Sequence, residues 1–390
     1  MKVVQIHNVY QTPGGEDRVV ERERELLTRA GHTVVTLVKD NDAIRTPAEK
    51  LTAAWHLPYS KEAAREVGAR LDHEQPDVVH LHNTFPLWTD AVAEAAHIRK
   101  IPVVKTLHNF RAFCANSLFL RDGKPCTLCL HGSKYQSVRY ACYRGSRLAS
   151  LAVARLLSDR KERERLFRNV SRFIVLSEFA RKLTIEGGFP EEKLVLKPGF
   201  SEDPGDVSAP SQWESFRFLF VGRISEEKGL GVLLNAWKEY QIGFPRDELV
   251  VIGDGPLRAT LERNAPTGVR FNGFQAAPIV AKAYQSCHAV VFPSQCFENF
   301  PLAIAEASSF GRPVLASDIG SIPEMLDRSS ITPAGDISAW CHKLKEFRQL
   351  SRETWQERSH RARQRFLSFW TPSDNLKRLL EIYQNVQSLH

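Results

Sequence analysis

The sequence predicts an α/β protein built as two doubly wound halves, each a parallel sheet with helices on its faces. Three observations predict it. Short apolar runs alternate with longer stretches of helical period along the chain, the pattern of βαβ units. One segment, 198–213 (PGFSEDPGDVSAPSQW), has no period and is rich in Pro, Gly, Ser and acids; the alternation stops there and restarts after it. At 390 residues the chain is also too long for one ordinary core and fits two domains.

The elements follow in order. KVVQIHNVY reads as a strand, QTPGG as a turn, and EDRVVERERELLTRA as a helix stopped by Gly31. HTVVTLVKD is the next strand. DVVHLHN and PVVKTLHN are short apolar runs that end in polar residues, and RFIVLSEFARKLTIEGG closes the first half as strand then helix. After the 198–213 linker, FRFLFVG, ELVVIGDG, VRFNGF, AVVFPS and PVLASDIG are strands with helices between them. TPSDNLKRLLEIYQNVQSL reads as an amphipathic helix after a Ser/Asp start. The expected boundaries are 1–197, the 198–213 linker, 214–370, and a final helix over 371–390 that packs back on the first half.

Hydrophobic content of 43% and charged content of 25% fit a soluble globular chain, and no run approaches the roughly 20 apolar residues that span a bilayer. The chain opens on a strand with no basic leader and apolar h-region, so a cytoplasmic location is expected. Seven cysteines, an odd number, do not suggest a disulfide framework. The net charge of +8 is uneven: residues 133–182 hold 13 Lys and Arg against 4 Asp and Glu, and the rest of the chain sums to −1. Such a segment suits phosphates, anionic lipid or nucleic acid, or is simply a solvated helix of mixed charge. Aromatic residues beside it are sparse (Tyr135, Tyr140, Tyr143), so nucleic acid is not expected.

Open parallel sheets bind ligands outside the carboxyl ends of their strands, and candidate residues cluster at such places. ENFPLAIAE carries Glu298 and Glu306. Pro301 suits the first position of a helix, and Glu306 lies inside that helix among small residues. A buried carboxylate needs a partner: a core salt bridge, a cap, or ligand hydroxyls. FVGRISEEKGL turns at Gly222 and offers Arg223 and Lys228, two cations suited to a diphosphate. TPGGEDRVV places Gly14 and Gly15 before a helix, where backbone comes close to a ligand. IGDGPL, with Gly253 and Gly255, is a further strand-to-helix turn but lacks the third glycine of the dinucleotide fingerprint.

Taken together, the Glu-x7-Glu pair, the GR…EKG turn, IGDGPL, VRFNGF and the PGG loop resemble glycosyltransferase family 4, across essentially the whole chain. The resemblance implies the GT-B fold, two Rossmann-like domains facing across a cleft. The first would be the acceptor side, with a cysteine-containing insert at about 110–145; the second would hold the nucleotide sugar. It implies a retaining enzyme of hexosyltransferase type moving a sugar from a nucleotide-sugar donor to an acceptor hydroxyl, here a glycan or lipid-linked glycan of cell-surface polysaccharide synthesis. Catalytic roles would fall to His108, beside the donor sugar, to Arg223 and Lys228 on the diphosphate, and to Glu298 near the transferred sugar, though not as a nucleophile. Donor contacts would come from Gly14, Gly15, Gly222, Gly253, Gly255, Phe274, Asn299, Phe300, Pro301, Leu302 and the ribose-binding Glu306. Phe300-Pro301 stands where many members have Phe-Gly, and proline has no N–H to donate. No Asp-x-Asp metal site is evident, so no cofactor is expected for catalysis; cations and helix N-termini would stabilise the leaving group.

Cys114, Cys126, Cys129 and Cys142 fall within 29 residues. A structural zinc is one reading of them; buried free cysteines and a redox pair are the others. RLASLAVARLLSDRKERERLF mixes an apolar face with cations, among them Arg155, Arg163 and Arg168, and suggests peripheral contact with the inner face of a membrane. Two other functions fit less of the chain: a GT-B-fold sugar-nucleotide epimerase, and a non-enzymatic zinc-containing protein that binds nucleic acid or membrane.

Overall fold

The computed structural model of the chain describes residues 1–9 and 14–389, and the side chains of 43, 47, 48, 50 and 51 lie outside the description. Gln11, Thr12 and Pro13 of the expected QTPGG turn therefore lie outside the described residues. The chain divides into two compact units: Met1–Phe119, Cys126–Pro198 and Ser373–His390 form the first, and Leu120–Pro125 with Gly199–Pro372 form the second.

The first unit runs β1 (Lys2–Val9), α1 (Gly15–Arg29), β2 (Thr33–Asp40), α2 (Pro47–His56), α3 (Lys61–Glu74), β3 (Val78–Leu81), α4 (Ala91–His97) and β4 (Val103–Thr106). A short antiparallel hairpin of β5 (Leu120–Arg121) and β6 (Lys124–Pro125) groups with the second unit. The first then continues through α5 (Leu128–His131), α6 (Gln136–Arg139), α7 (Arg147–Ser158), α8 (Arg160–Asn169), β7 (Arg172–Val175), α9 (Glu178–Glu186) and β8 (Leu194–Leu196). Its six strands are parallel, in the order β2-β1-β3-β4-β7-β8. β3 and β4 are buried along their whole length, which is why they read as continuous apolar runs rather than alternating ones.

The second unit runs β9 (Arg217–Val221), α10 (Leu230–Gly243), β10 (Glu248–Ile252), α11 (Arg258–Arg263), β11 (Val269–Gly273), α12 (Ala277–Ser286), β12 (Ala289–Phe292), α13 (Leu302–Ser309), β13 (Val314–Ser317), α14 (Ile322–Met325), β14 (Ile331–Thr332), α15 (Ile337–Arg348) and α16 (Arg352–Phe369). Its sheet is parallel too, in the order β11-β10-β9-β12-β13-β14. One core, with Trp237, Trp340 and Trp355, lies under α10 and α15; another, with Ile304, Tyr284 and Phe366, lies under α12, α13 and α16. The last helix, α17 (Pro372–Gln387), buries Leu379, Ile382, Tyr383 and Val386. In the first unit its Tyr383 hydroxyl meets His80 Nδ1 at 2.7 Å, and Asn375 Nδ2 donates to the Pro198 carbonyl at 3.2 Å.

Two stretches differ from the sequence reading. Residues 199–213 have no helix or strand, yet side chains of the second unit fasten them: Arg363 donates to Asp203 and Arg312 to the Ser208 carbonyl, while Trp213 packs edge-on against Trp355. Absence of period thus marks irregular backbone here, not a free tether. The basic run RLASLAVARLLSDRKERERLF is two helices, because the Asp159 carboxylate accepts from the Lys161 and Glu162 amides and starts α8 afresh.

His80 and His288 are buried in the two units, and burial depresses both to about 4. His288 accepts from Arg217 N at Nδ1 and donates to the Gln212 carbonyl at Nε2, which is the neutral form. The unfolded chain takes up protons at about 6.5 where the folded one refuses them. Stability from these groups is therefore complete above about pH 6.5 and is lost as pH falls towards about 4. Urea midpoints should drop across that window, and His288→Gln should flatten part of the slope; a wild-type profile level from neutral pH to about 4 would contradict the assignment.

Candidate functional site

In the second unit, three neighbouring strands, β10, β9 and β12, deliver their carboxyl-end loops side by side. The first two loops touch. A Cβ on Gly253, whose φ is +141°, would lie 1.8 Å from the Gly222 carbonyl oxygen, and one on Gly255 would lie 2.3 Å from that of Ile224. Only glycine permits this approach. The loops are stitched by Ile224 N to the Asp254 carbonyl at 2.8 Å and Leu257 N to the Ile224 carbonyl at 3.1 Å. Gly222, Gly253 and Gly255 are thus brought together. Phe274 follows Gly273, whose carbonyl accepts from Gly253 N, and its ring is 81% exposed.

The turn Glu226–Lys228 packs against the residues that leave β12. Gln295 N donates to the Glu227 carbonyl at 2.8 Å, and a Cβ on Gly229 (φ +68°) would lie 1.9 Å from the Pro293 carbonyl oxygen. That packing carries Lys228 to Glu298, with Nζ 2.7 Å from Oε1. The Ser294 hydroxyl donates to the same oxygen at 2.6 Å. Burial by itself would depress the Lys228 ammonium, but Glu298, Cys296 and Glu227 together outweigh it and hold the pKa above the usual lysine value. Burial, with Glu298 nearby, pushes the Cys296 thiol up to about 12. Arg223 is exposed and, among the described residues, makes no ion pair. The two cations expected on one diphosphate therefore differ: one is engaged by a carboxylate and the other faces solvent.

The Glu298 loop is backed by Gly320 (φ +62°), where a Cβ would lie 2.5 Å from Glu298 N, and Ser321 N donates to the Glu298 carbonyl at 3.0 Å. Asn299 is buried, and Phe300 packs edge-on against Trp370. Pro301 caps α13 instead of occupying its first turn, with ψ at 104°, and Leu302 is the first helical residue. Glu306 lies buried within α13, and its Oε2 accepts from the Tyr284 hydroxyl at 3.2 Å. This neutral donor is one partner of the carboxylate whose position stood out in the sequence.

His108 belongs to the first unit. It follows β4, and His82 follows β3; the two rings stack with His108 Nε2 2.9 Å from His82 Nδ1. Burial, followed by the neighbouring histidines, holds both well below the usual imidazole pKa, so the pair is neutral. His7, on β1, meets Asp17 Oδ1 at 2.8 Å through Nε2, while Asp17 Oδ2 accepts from Gly14 N at 2.7 Å. The glycine loop, Gly14 and Gly15, is thereby tied to the histidine row. Beside the row is a cavity of about 150 Å³ lined by Glu16, His82, His108, Lys105, Asp90 and Leu157 among others. Lys105 donates to Thr84 Oγ1 at 3.0 Å and pairs with Asp90. His7, His82 and Lys105 escaped the sequence reading. One signal for His82 was present: the triplet Leu-His-Asn recurs at the ends of two neighbouring strands, 81–83 and 107–109.

Two metal questions have structural answers. Among the described residues, the one group of three or more histidine, cysteine or carboxylate ligand atoms within 4.8 Å of one another is Glu23, His80 and His82. Glu23 is neutralised there by Lys197 at 2.6 Å, and both His80 nitrogens are engaged by Tyr383 and Thr106, so the group does not fit a cation. Among the described residues, Cys114, Cys126, Cys129 and Cys142 are unbridged thiols, and no three of their sulfurs lie within 4.8 Å of one another; burial, then the adjoining Cys114, raises the Cys129 thiol pKa. The chain does hold one Asp-x-Asp triplet, contrary to the sequence reading. It is Asp40-Asn41-Asp42 at the end of β2, where Asp40 caps a turn by accepting from Asp42 N at 2.8 Å.

Comparison with known proteins places these features. Residues 13–199 match the family model described as Glycosyltransferase Family 4, and residues 215–349 match Glycosyl transferases group 1. An uncharacterised glycosyltransferase of Methanocaldococcus jannaschii is 26% identical over 70% of this chain and 65% of its own length. The O-antigen chain mannosyltransferase C of Escherichia coli is 28% identical over 50% of this chain and 55% of its own. This chain thus spans less than two thirds of each relative. Among solved structures, Anabaena HepE, in complex with UDP and glucose, superposes with a TM-score of 0.68 at 18% identity, covering 98% of this chain and 99% of its own. That likeness is one of fold.

The crossing of the β9 and β10 loops sets a stability test. Gly253→Ala should cost at least about 2 kcal/mol, because both its φ and the Gly222 carbonyl exclude a Cβ. Gly243→Ala, with nothing within 4 Å, should be neutral or stabilising by up to about 1 kcal/mol. Equal denaturation midpoints for the two variants would refute the close approach.

Proposed function

The chain belongs to glycosyltransferase family 4, with the GT-B fold, and from that premise we propose that it transfers a hexose from a nucleotide-sugar donor to an acceptor hydroxyl with retention of configuration. The acceptor in this proposal is a lipid-linked glycan of cell-surface polysaccharide synthesis, met at the cytoplasmic face of a membrane. The observation that carries the reading is the Lys228–Glu298–Ser294 cluster, set beside the crossing glycine loops at the carboxyl ends of neighbouring strands. UDP and glucose held on the same fold by the Anabaena protein, and an O-antigen mannosyltransferase among the relatives, support the donor class and the pathway type.

The chemistry follows from charge. A nucleoside diphosphate leaves with growing negative charge, and cations that meet it in the transition state lower the barrier. Arg223, exposed at the turn after β9, can take a phosphate without giving up a partner. Lys228 is preset as an ammonium and passes from Glu298 towards the diphosphate, while the Ser294 hydroxyl keeps its hydrogen bond to Glu298. The carboxylate so released lies on the sugar side, where it can accept from sugar hydroxyls. Glu306, already accepting from Tyr284, has capacity left for ribose hydroxyls. Neutral His108, held by His82, can donate or accept a hydrogen bond without adding charge. Pro301 supplies no N–H, so contacts along this strip fall to its neighbours.

Nucleoside diphosphate should be released only when donor and acceptor glycan are both present, and the product should keep the donor's anomeric configuration by NMR. Epimerised donor without acceptor would favour the epimerase reading. Arg223→Ala and Lys228→Ala should each lower kcat/KM about tenfold or more, and Glu306→Gln should weaken donor binding by about 1.5–3 kcal/mol. Turnover should persist in EDTA; strict dependence on added Mg²⁺ or Mn²⁺ would overturn a leaving group stabilised by these cations alone.

A further inference from the structure

α7 has two faces. The inner one buries Ser150, Val153 and Ala154, and its Leu156 and Leu157 line the cavity beside His108. The outer one presents Arg147, Leu148, Leu151 and Arg155 in succession at helical spacing, all exposed. Leu148 is 81% exposed and Leu151 44%. Trp55, at the end of the adjoining α2, is 69% exposed, with the Arg155 guanidinium 5.5 Å from its ring centroid. Bare leucines and a tryptophan projecting together are unusual on a soluble surface and mark a contact.

Charge tells what kind. No Asp or Glu occurs between Asp122 and Asp159, whereas that interval holds six Lys and Arg. Arg144, Arg147 and Arg155 are exposed beside the leucines. A second copy of the chain docking the same face about a twofold axis would set arginine against arginine. An anionic bilayer meets every feature at once: leucines enter the acyl boundary, indole lies at headgroup depth, and arginines reach the phosphates. Arg163, named with Arg155 and Arg168 in the sequence reading, is not part of this face. It turns inward to the Gly187 carbonyl and lies over the Phe167 and Phe189 rings, and burial lowers its pKa.

We propose that the outer face of α7, with Trp55, docks the protein on anionic lipid and so brings the cavity lined by the inner face of the same helix next to the bilayer. The choice of a lipid-linked acceptor rests on the function proposed above; the docking itself does not. One helix would then serve both as anchor outside and as wall inside, which suits an acceptor whose head must leave the headgroup layer while its lipid stays behind.

The test is co-sedimentation of the full chain with vesicles of phosphatidylcholine alone and of phosphatidylcholine mixed with phosphatidylglycerol. Wild-type protein should pellet with the mixed vesicles, less so at high salt, and only weakly with the neutral ones. Leu148→Ser with Leu151→Ser, Arg147→Glu with Arg155→Glu, and Trp55→Ala should each weaken binding at least about tenfold, with circular dichroism and melting unchanged. Equal binding to both vesicles, or unchanged binding by the folded variants, would overturn the proposal. So would wild-type self-association abolished by the leucine variant, which would make the face an interface between copies. Turnover with a water-soluble acceptor separates the two readings. Variants that lose vesicles but keep turnover uphold both; vesicle binding by a chain that turns over no nucleotide sugar upholds docking and refutes the transferase.

Discussion

The Lys228–Glu298 pair is the interaction on which the second unit's strand-end architecture depends. It joins the turn after β9 to the loop after β12, and its geometry exists only because Gly229 lets the backbone pass the Pro293 carbonyl. The lysine side chain keeps 25% of its surface and the glutamate 10%, so neither ion is well hydrated. Removing one partner of a desolvated pair costs about 3–5 kcal/mol when burial is complete, because the other charge is left alone. Here the exposed quarter of the lysine moderates that figure. A site that must accept a dianionic group benefits from such a pair. In the transfer proposed above, the cation would be held charged and in place before the donor arrives, and exchange of one carboxylate for a diphosphate would conserve its neutralisation.

The first unit solves a related problem without net charge. Its strand ends bury His7 and His82 and half-bury His108 beside a cavity. His82 and His108 are held neutral by burial and by the neighbouring histidines, while His7 is engaged by Asp17 and the Asn83 amide. Deeper in the same row, His80 is clamped between Tyr383 and Thr106, with the Glu23–Lys197 pair close by. The C-terminal helix thereby reaches the polar interior of a domain that begins about 370 residues earlier in sequence. The row ends at the glycine loop, where Asp17 holds Gly14 N.

The fold was legible because burial on both faces writes parallel strands as unbroken apolar runs: VVHL and VVKT in the first unit, AVVF and VLAS in the second. Strand-end residues were legible where a local rule marks them. Gly253 and Gly255 are needed because carbonyl oxygens lie where a Cβ would stand, and Glu306 stood out as a carboxylate among alanines. What stayed hidden depends on which residues become neighbours in space. Lys228 read as a phosphate cation, and nothing in its own turn announced a carboxylate 70 positions away. Tyr284, partner of Glu306, is an unremarked aromatic in an amphipathic helix. Period failed at 199–213, where arginines and tryptophans of later helices hold an irregular chain.

The basic segment shows the same limit from the other side. Its net charge of +9 over 133–182 is a single number in the sequence, but the fold spends those cations differently. Arg163, which lines the cavity, turns to the Gly187 carbonyl, and Arg165 pairs with Glu162. Arg144, Arg147 and Arg155 stay in solvent around two bare leucines. What separates the groups is Asp159, the first carboxylate after a run of acid-free sequence, which ends one helix and caps the next. Sequence charge alone would assign the whole segment to one surface. The cap divides it into two helices, and each has a wall side and a solvent side: Leu156, Leu157, Glu162 and Arg163 line the cavity, while Arg147, Arg155, Arg160, Lys161 and Arg168 are exposed.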